Sequence, residues 1–131
     1  MAIHNETGRI GERVAFRYLM QKGYRILASN WHYQHKEIDL VATDGQWLVV
    51  VEVKTRVEHT YIAPSESVTR AKQRNICIAA DAFARQHHCD LPVRYDIIAI
   101  TYRPATDTYE IEHIENAFYP ELNRASRRRY L

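Results

Sequence analysis

Glu52-Val53-Lys54 closes the apolar run Trp47-Leu48-Val49-Val50-Val51, and Glu37-Ile38-Asp39 precedes that run across the turn Thr43-Asp44-Gly45-Gln46. Carboxylate and ammonium groups are costly to bury unless they are paired or bind a metal. A strand that carries both directly after three valines therefore needs a compensating partner. The chemistry that suits this pattern is a divalent-cation site for phosphodiester hydrolysis.

The turn predicts the geometry. Asp44-Gly45 between two apolar runs signals a two-residue hairpin loop, which pairs Thr43 with Gln46, Val41 with Leu48, Asp39 with Val50 and Glu37 with Glu52. Side chains alternate along a strand, so Glu37, Asp39, Glu52 and Lys54 share one face, with Asp39 and Glu52 diagonal neighbours at ~7–8 Å. A bulge in either strand would send Asp39 to the other face. Asp39 and Glu52 offer hard oxygen ligands for Mg²⁺ or Mn²⁺ and suit zinc poorly. Lys54 is placed to orient water and to offset charge at phosphorus, and Glu37 is a spare carboxylate. The bland alternative is an exposed strand edge with a weak Glu-Lys ion pair.

Two helices bring further groups. Thr7 to Lys22 reads as a helix with an apolar arc of Ile10, Val14, Ala15, Tyr18 and Leu19 and with Gly23 as its stop. Glu12 flanks that arc at the helix–sheet boundary. Arg9, Arg13 and Arg17 form the outer stripe, a solvated face first and a phosphate contact second. A second helix is predicted from about Ser65 to Gln86, with Val68, Ile76, Ala79, Ala80 and Phe83 inward. Gln73 lies at the edge of its arc, where it can serve a water or a phosphate oxygen. Lys72 falls inside the arc, and a lysine there usually snorkels to the rim.

These groups must be held by a small α/β unit. The predicted order is helix, strands Tyr24 to Tyr33, Glu37 to Ala42 and Trp47 to Lys54, the second helix, strand Val93 to Thr101 and a last strand near Tyr109 to Ile114. A meander followed by a crossover helix gives a mixed sheet covered on both sides. At 131 residues with 46% hydrophobic content, the chain is long enough for one core and too short for two, so residues 1–131 are expected as a single domain. No apolar stretch approaches the ~20 residues of a membrane span, and the first residues do not read as a secretion signal, so the expected setting is cytoplasmic, with no membrane partner. Cys77 and Cys89 read as incidental thiols, and neither His32-x-x-His35 nor His87-His88-Cys89 has the second ligand pair that a zinc site needs.

A net charge of +2 does not announce a polyanion partner, but its distribution is polarised. Basic residues gather at Arg9, Arg13, Arg17, Lys22 and Arg25 and at the tail residues Arg124, Arg127, Arg128 and Arg129, expected to be mobile within about residues 120–131, while Asp107 to Glu121 is acidic. Of these, Arg9, Arg13 and the tail arginines, together with Arg56, are singled out for DNA. These are the candidate phosphate contacts.

Gly8-Arg-Ile-Gly11-Glu12, Glu37-Ile-Asp-Leu40, Val51-Glu-Val-Lys-Thr-Arg56 and Arg94-Tyr-Asp96, in that order, resemble the bacterial YraN family over roughly Glu6 to Phe118. That family is similar to the PD-(D/E)xK nuclease superfamily, in particular to archaeal Holliday-junction resolvases. The resemblance implies a restriction-endonuclease-like mixed β-sheet flanked by helices, an αβββαβ core. It places Glu12, Asp39, Glu52 and Lys54 on the superfamily's acidic helix residue and its D…E-x-K set, and Gln73 on the polar residue of its second helix. The expected function is a Mg²⁺- or Mn²⁺-dependent DNA endonuclease acting on branched or structured DNA, with homodimer formation left open. The alternatives are a nucleic-acid-binding module of the same fold that hydrolyses little, and a protein-interaction domain whose acidic face is only an ion-pair network.

Overall fold

The computed structural model describes residues 2–59 and 68–119, the first six of these by backbone alone. Two helices and five strands follow the chain as α1 (Ala2–Gln21), β1 (Arg25–Tyr33), β2 (Lys36–Thr43), β3 (Leu48–Val57), α2 (Arg70–Gln86), β4 (Val93–Arg103) and β5 (Thr108–Ile114). The strands form one sheet in the order β1-β2-β3-β4-β5. Every pairing is antiparallel except β3 with β4, which run parallel because α2 carries the chain back between them. This is the mixed, restriction-endonuclease-like α/β architecture that the sequence predicts.

The central strand explains the layering. Leu48, Val49, Val50 and Val51 are all buried because each face of β3 meets a different core. Leu48 and Val50 join Ile76, Ala79, Ala80 and Phe83 of α2. Val49 and Val51 join Ala15 and Leu19 of α1. Beyond Val51 the strand outruns this cover, and residues 53–57 are only half-buried. Glu52 sits at that border.

The stop of α1 is the expected one. Gly23 adopts φ +93°, and the Gly23 and Tyr24 amides donate back to Met20 O and Leu19 O, which closes the helix with a left-handed cap. Four of the five residues of the predicted arc, Val14, Ala15, Tyr18 and Leu19, pack on the α1-side core, and Ile10 departs. The buried seam runs through Gly11, Ala15 and Leu19, while Ile10 is 37% exposed. An alanine Cβ at Gly11 would come within 1.8 Å of Thr55 Oγ1, so a bare backbone is what lets α1 lie on β3. That contact rotates Ile10 outward.

Helix α2 starts at Arg70, later than expected. Thr69 is extended, and its hydroxyl accepts the Lys72 N–H, so it acts as the N-cap and Val68 precedes the helix. The expected opening at Pro64-Ser65 lies outside the described residues.

The β2–β3 connection is also corrected. Asp44 Oδ1 accepts both the Gln46 and Trp47 amides, Thr43 Oγ1 donates to Trp47 O, and Gly45 takes φ +95°. The loop is therefore four residues, Asp44 to Trp47, and Thr43 pairs with Leu48 instead of Gln46. The register slides by two, an even number, so no side chain changes face.

Candidate active site

The two-residue slide brings the key carboxylates closer than the expected diagonal. Pairing between β2 and β3 stops at Leu40 with Val51, and the next step of that register would set Asp39 opposite Glu52. There the side chain replaces the ladder. Asp39 Oδ2 accepts the Val53 N–H at 2.8 Å, so the strand end opens around a carboxylate without leaving a backbone donor unpaired.

Asp39 also marks a break in alternation. Ile38 and Val41 both pack on the α2 side, whereas Leu40 and Ala42 pack on the α1 side. In the paired strand, Asn30 stands between Ser29 and Trp31, the partners of Leu40 and Ile38, and adopts φ +49°. The β1–β2 register shift lies between Ile26 and Ala28, away from Asp39, and the register is unchanged from Ser29–Leu40 to Trp31–Ile38. The break in alternation at Asn30 and Asp39 therefore leaves Asp39 at the sheet margin. A cavity of 470 Å³ is lined by Gly8, Glu12, Asp39, Glu52, Lys54 and Lys72, among others. Asp39 and Glu12 also form the inner end of a groove of 330 Å³ between α1 and β1.

Four of the five predicted catalytic residues, Glu12, Asp39, Glu52 and Lys54, are brought together. Glu52 is 4% exposed and is partnered by two lysines. Lys72 Nζ lies 2.6 Å and Lys54 Nζ 3.5 Å from Glu52 Oε1. Burial raises the Asp39 carboxyl, and the facing Glu52 charge raises it further against the Val53 hydrogen bond, with Glu12 adding to the effect. The result is a pKa pushed up to about 7. Burial and then the neighbouring Lys72 ammonium hold Lys54 below its ordinary value. Burial works most strongly against the Lys72 charge, but the bonds to Glu52 and Lys54 and the charges of Glu52 and Asp39 together outweigh it and raise that lysine.

Gln73 does not join the cluster. Its Nε2 donates to Val68 O at 3.0 Å, fastening the start of its own helix. The α2 group that reaches the carboxylates is Lys72, which sequence reasoning set aside as a rim lysine. No signal in the sequence separates it from a lysine that snorkels to the rim. Glu37 is exposed and lies 3.8 Å from His32 Nε2, a surface pairing and not a metal-facing one. Arg56 lines the cavity, and its Nε donates to Thr101 Oγ1. Arg9 and Arg13 border the α1–β1 groove. Arg124, Arg127, Arg128 and Arg129 lie outside the described residues.

The donor set fits a hard cation in part. The hydrogen bond from Val53 and both lysine contacts use Asp39 Oδ2 and Glu52 Oε1, which leaves Oδ1 and Oε2 for a cation, and positive charge there would relieve the crowding that raises Asp39. Among the described residues no three His, Cys, Asp or Glu side chains are gathered closely enough to enclose a metal. Two carboxylates, with water and substrate oxygens completing the shell, are the usual provision for Mg²⁺.

The motif residue Asp96 has a separate role. It is fully buried and accepts Arg94 Nε at 2.9 Å, Arg94 Nη2 at 2.8 Å and the Asn116 amide at 3.0 Å, with His113 Nε2 at 2.8 Å. Burial pushes its pKa up, but these bonds together hold it below the ordinary value. Arg94 also donates to Tyr24 Oη, so the network ties β4 to β1's approach and to the end of β5.

Among the described residues, no helix is long and apolar enough to cross a membrane. The model of the Uncharacterised protein family UPF0102 matches residues 11–100, a span that holds Glu12, Asp39, Glu52, Lys54, Lys72 and Asp96. A UPF0102 protein of Porphyromonas gingivalis is 45% identical over 97% of this chain and 94% of its own length. One from Phocaeicola vulgatus is 47% identical over 93% of this chain and 99% of its own, and one from Flavobacterium psychrophilum 40% identical over 91% and 98%. With a family match over most of its length and relatives this similar from end to end, the chain belongs to the UPF0102 family, the YraN family that its motifs resemble.

Proposed function

We propose that this protein is a divalent-metal-dependent endonuclease that hydrolyses phosphodiester bonds in DNA, with branched or structured DNA as its substrate class. The observation that carries the reading is the meeting of Asp39, Glu52 and Lys54 in one open cavity at the margin of the sheet, with Glu12 and Lys72 beside them. Asp39 and Glu52 would hold Mg²⁺ or Mn²⁺, which when bound supplies Lewis acidity and charge neutralisation at the phosphate. Lys54 Nζ, kept below its ordinary pKa by burial and by Lys72, aligns the attacking water and hydrogen-bonds a phosphate oxygen as charge develops there. Lys72 pairs with Glu52 through its Oε1 edge, which leaves Oε2 as the ligand. Glu12 lines the same cavity as Asp39, where its carboxylate can accept a proton from water.

One observation favours a second reading, a nucleic-acid-binding module without hydrolysis. Lys54 and Lys72 already neutralise Glu52, so the pair can persist as a structural ion network with no cation. Incubation of the protein with linear, flapped and four-way DNA, with Mg²⁺ or Mn²⁺ against EDTA, separates the two. Cleavage only with metal, absent in Glu52→Gln, supports the nuclease. Retention of DNA with no cleavage of any substrate under either metal supports the second reading.

A further inference from the structure

The groove between α1 and β1 differs from the cavity it adjoins. It is lined by the α1 stripe Arg9, Arg13 and Arg17, by Ser29 and Asn30 of β1, and by Phe16, a half-buried ring that also packs on the α1-side core. The three arginines are exposed and make no ion pair among the described residues, unlike Arg85, which bonds Asp81, or Arg103, which bonds Glu58. Three unneutralised cations in a row face one way along a helix. They recur every four residues, a step of about 6 Å, which matches the spacing of successive phosphates along one strand. The inner end of the groove is Asp39 with Glu12, the residues it shares with the cavity holding Glu52 and Lys54.

We propose that this groove is the track for a single DNA strand, which lies with its phosphates on Arg9, Arg13 and Arg17 and its bases toward Phe16, Ser29 and Asn30, and so reaches the Asp39–Glu52 site from the α1 side. The inference rests on the reading of that site as one acting on DNA, and it names the form the substrate takes there. A cationic stripe beside an aromatic ring is the arrangement that binds unpaired strands, because the arginines follow the backbone and any base can stack. A duplex presents two backbones and keeps its base faces covered, so one stripe and one half-buried ring serve it poorly. The acidic inner end repels a bare phosphate. The strand is therefore gripped by the arginines first, and the final phosphate enters only where cationic charge offsets Asp39 and Glu12. Free three-prime or five-prime tails and the unpaired arms of flapped DNA have this form.

The test measures binding in EDTA, so that it does not depend on hydrolysis. A short fluorescent oligothymidylate and a duplex of equal length are titrated with wild-type protein, with Arg9→Ala/Arg13→Ala/Arg17→Ala and, as a surface-charge control, with Arg85→Ala. The expected result is that wild type prefers the single strand and that the triple variant loses about 2 units of log–log salt slope, at ~0.7 per phosphate contact, while Arg85→Ala retains the slope. Phe16→Leu should weaken single-strand binding several-fold at an unchanged salt slope, since it removes stacking and no charge. An unchanged slope in the triple variant, or a wild-type preference for duplex, overturns the track. If the track holds while no substrate is cleaved with any metal, the nuclease reading fails and the strand site stands. Metal-dependent cleavage with an unaltered slope in the triple variant does the reverse.

Discussion

Asp39 holds the most consequential proton in the molecule. Its carboxyl titrates near 7 in the metal-free fold against an ordinary value of 3.8. The folded state therefore binds more protons than the unfolded state between those values, and stability must fall as pH rises through that window and level off above it. Asp39→Asn removes this slope. Without metal, near pH 8, the variant should be more stable than wild type by on the order of 2–4 kcal/mol, and the two should converge near pH 4, as thermal unfolding across pH will read. Equal pH profiles would show that neither burial nor Glu52 raises the Asp39 carboxyl. Lys72 works in the opposite sense. Lys72→Met leaves the buried Glu52 with the more distant Lys54, and the expected loss of stability without metal is on the order of 1–3 kcal/mol, reduced from a fully buried pair because the Lys72 side chain is 43% exposed. The D…E-x-K residues were legible in the sequence because charges interrupt an apolar strand. Lys72 was not, since a lysine within a helical apolar arc reads the same whether it snorkels into water or meets a carboxylate from another element. Gln73 was misplaced for the complementary reason: its Val68 partner depends on where the helix begins, and the Thr69 cap fixes that.

At the scale of elements, the site depends on how closely α1 lies on β3. Gly11→Ala would set a methyl 1.8 Å from Thr55 Oγ1 and 2.9 Å from Thr55 Cβ, so the helix must lift. The cost should be about 1–3 kcal/mol, and Glu12, the next residue, should retreat from Asp39. Chemical denaturation should show the loss, and Thr55→Ala in the same chain should restore part of it. Full wild-type stability in the single variant would mean that Thr55 turns away at no cost and that the approach is not critical. The opposite side of the α1-covered face is held by Asp96. Its pKa lies below the ordinary value, so it contributes stability above about pH 4 that is lost as pH falls through the depressed folded value. Asp96→Asn leaves Arg94, whose side chain is 11% exposed, without its forked partner, and should cost about 3–5 kcal/mol at neutral pH. Denaturant midpoints with unchanged slopes will show this. The order of elements was legible from periodicity and from Gly23. The β2–β3 register was not, because Asp44-Gly45 is compatible with both a two-residue turn and a longer loop. Only the Asp44 and Thr43 side-chain bonds select the longer one.

Across the whole molecule, two cores grip the first half of β3 and release the second. The chemistry lies at that transition, where Glu52 still has the low-dielectric setting of a core residue and Lys54 already opens to solvent. Alternation carried the essential prediction through the register correction, because a slide of two leaves parity intact. The margin at Asn30 and Asp39, where alternation fails on both strands at once, had no signature in single-strand periodicity. It gives Asp39 access from two sides of the fold. The central claim is that Asp39 and Glu52 together hold a divalent cation, and calorimetric titration with Mn²⁺ tests it most directly. Wild-type protein should bind Mn²⁺, release close to one proton per ion below pH 6 and almost none above pH 8, as Asp39 ionises with a pKa of about 7. Glu52→Gln should abolish the binding heat while remaining folded. Absence of Mn²⁺ binding by the wild type at pH 8, or undiminished binding by Glu52→Gln, would contradict the account.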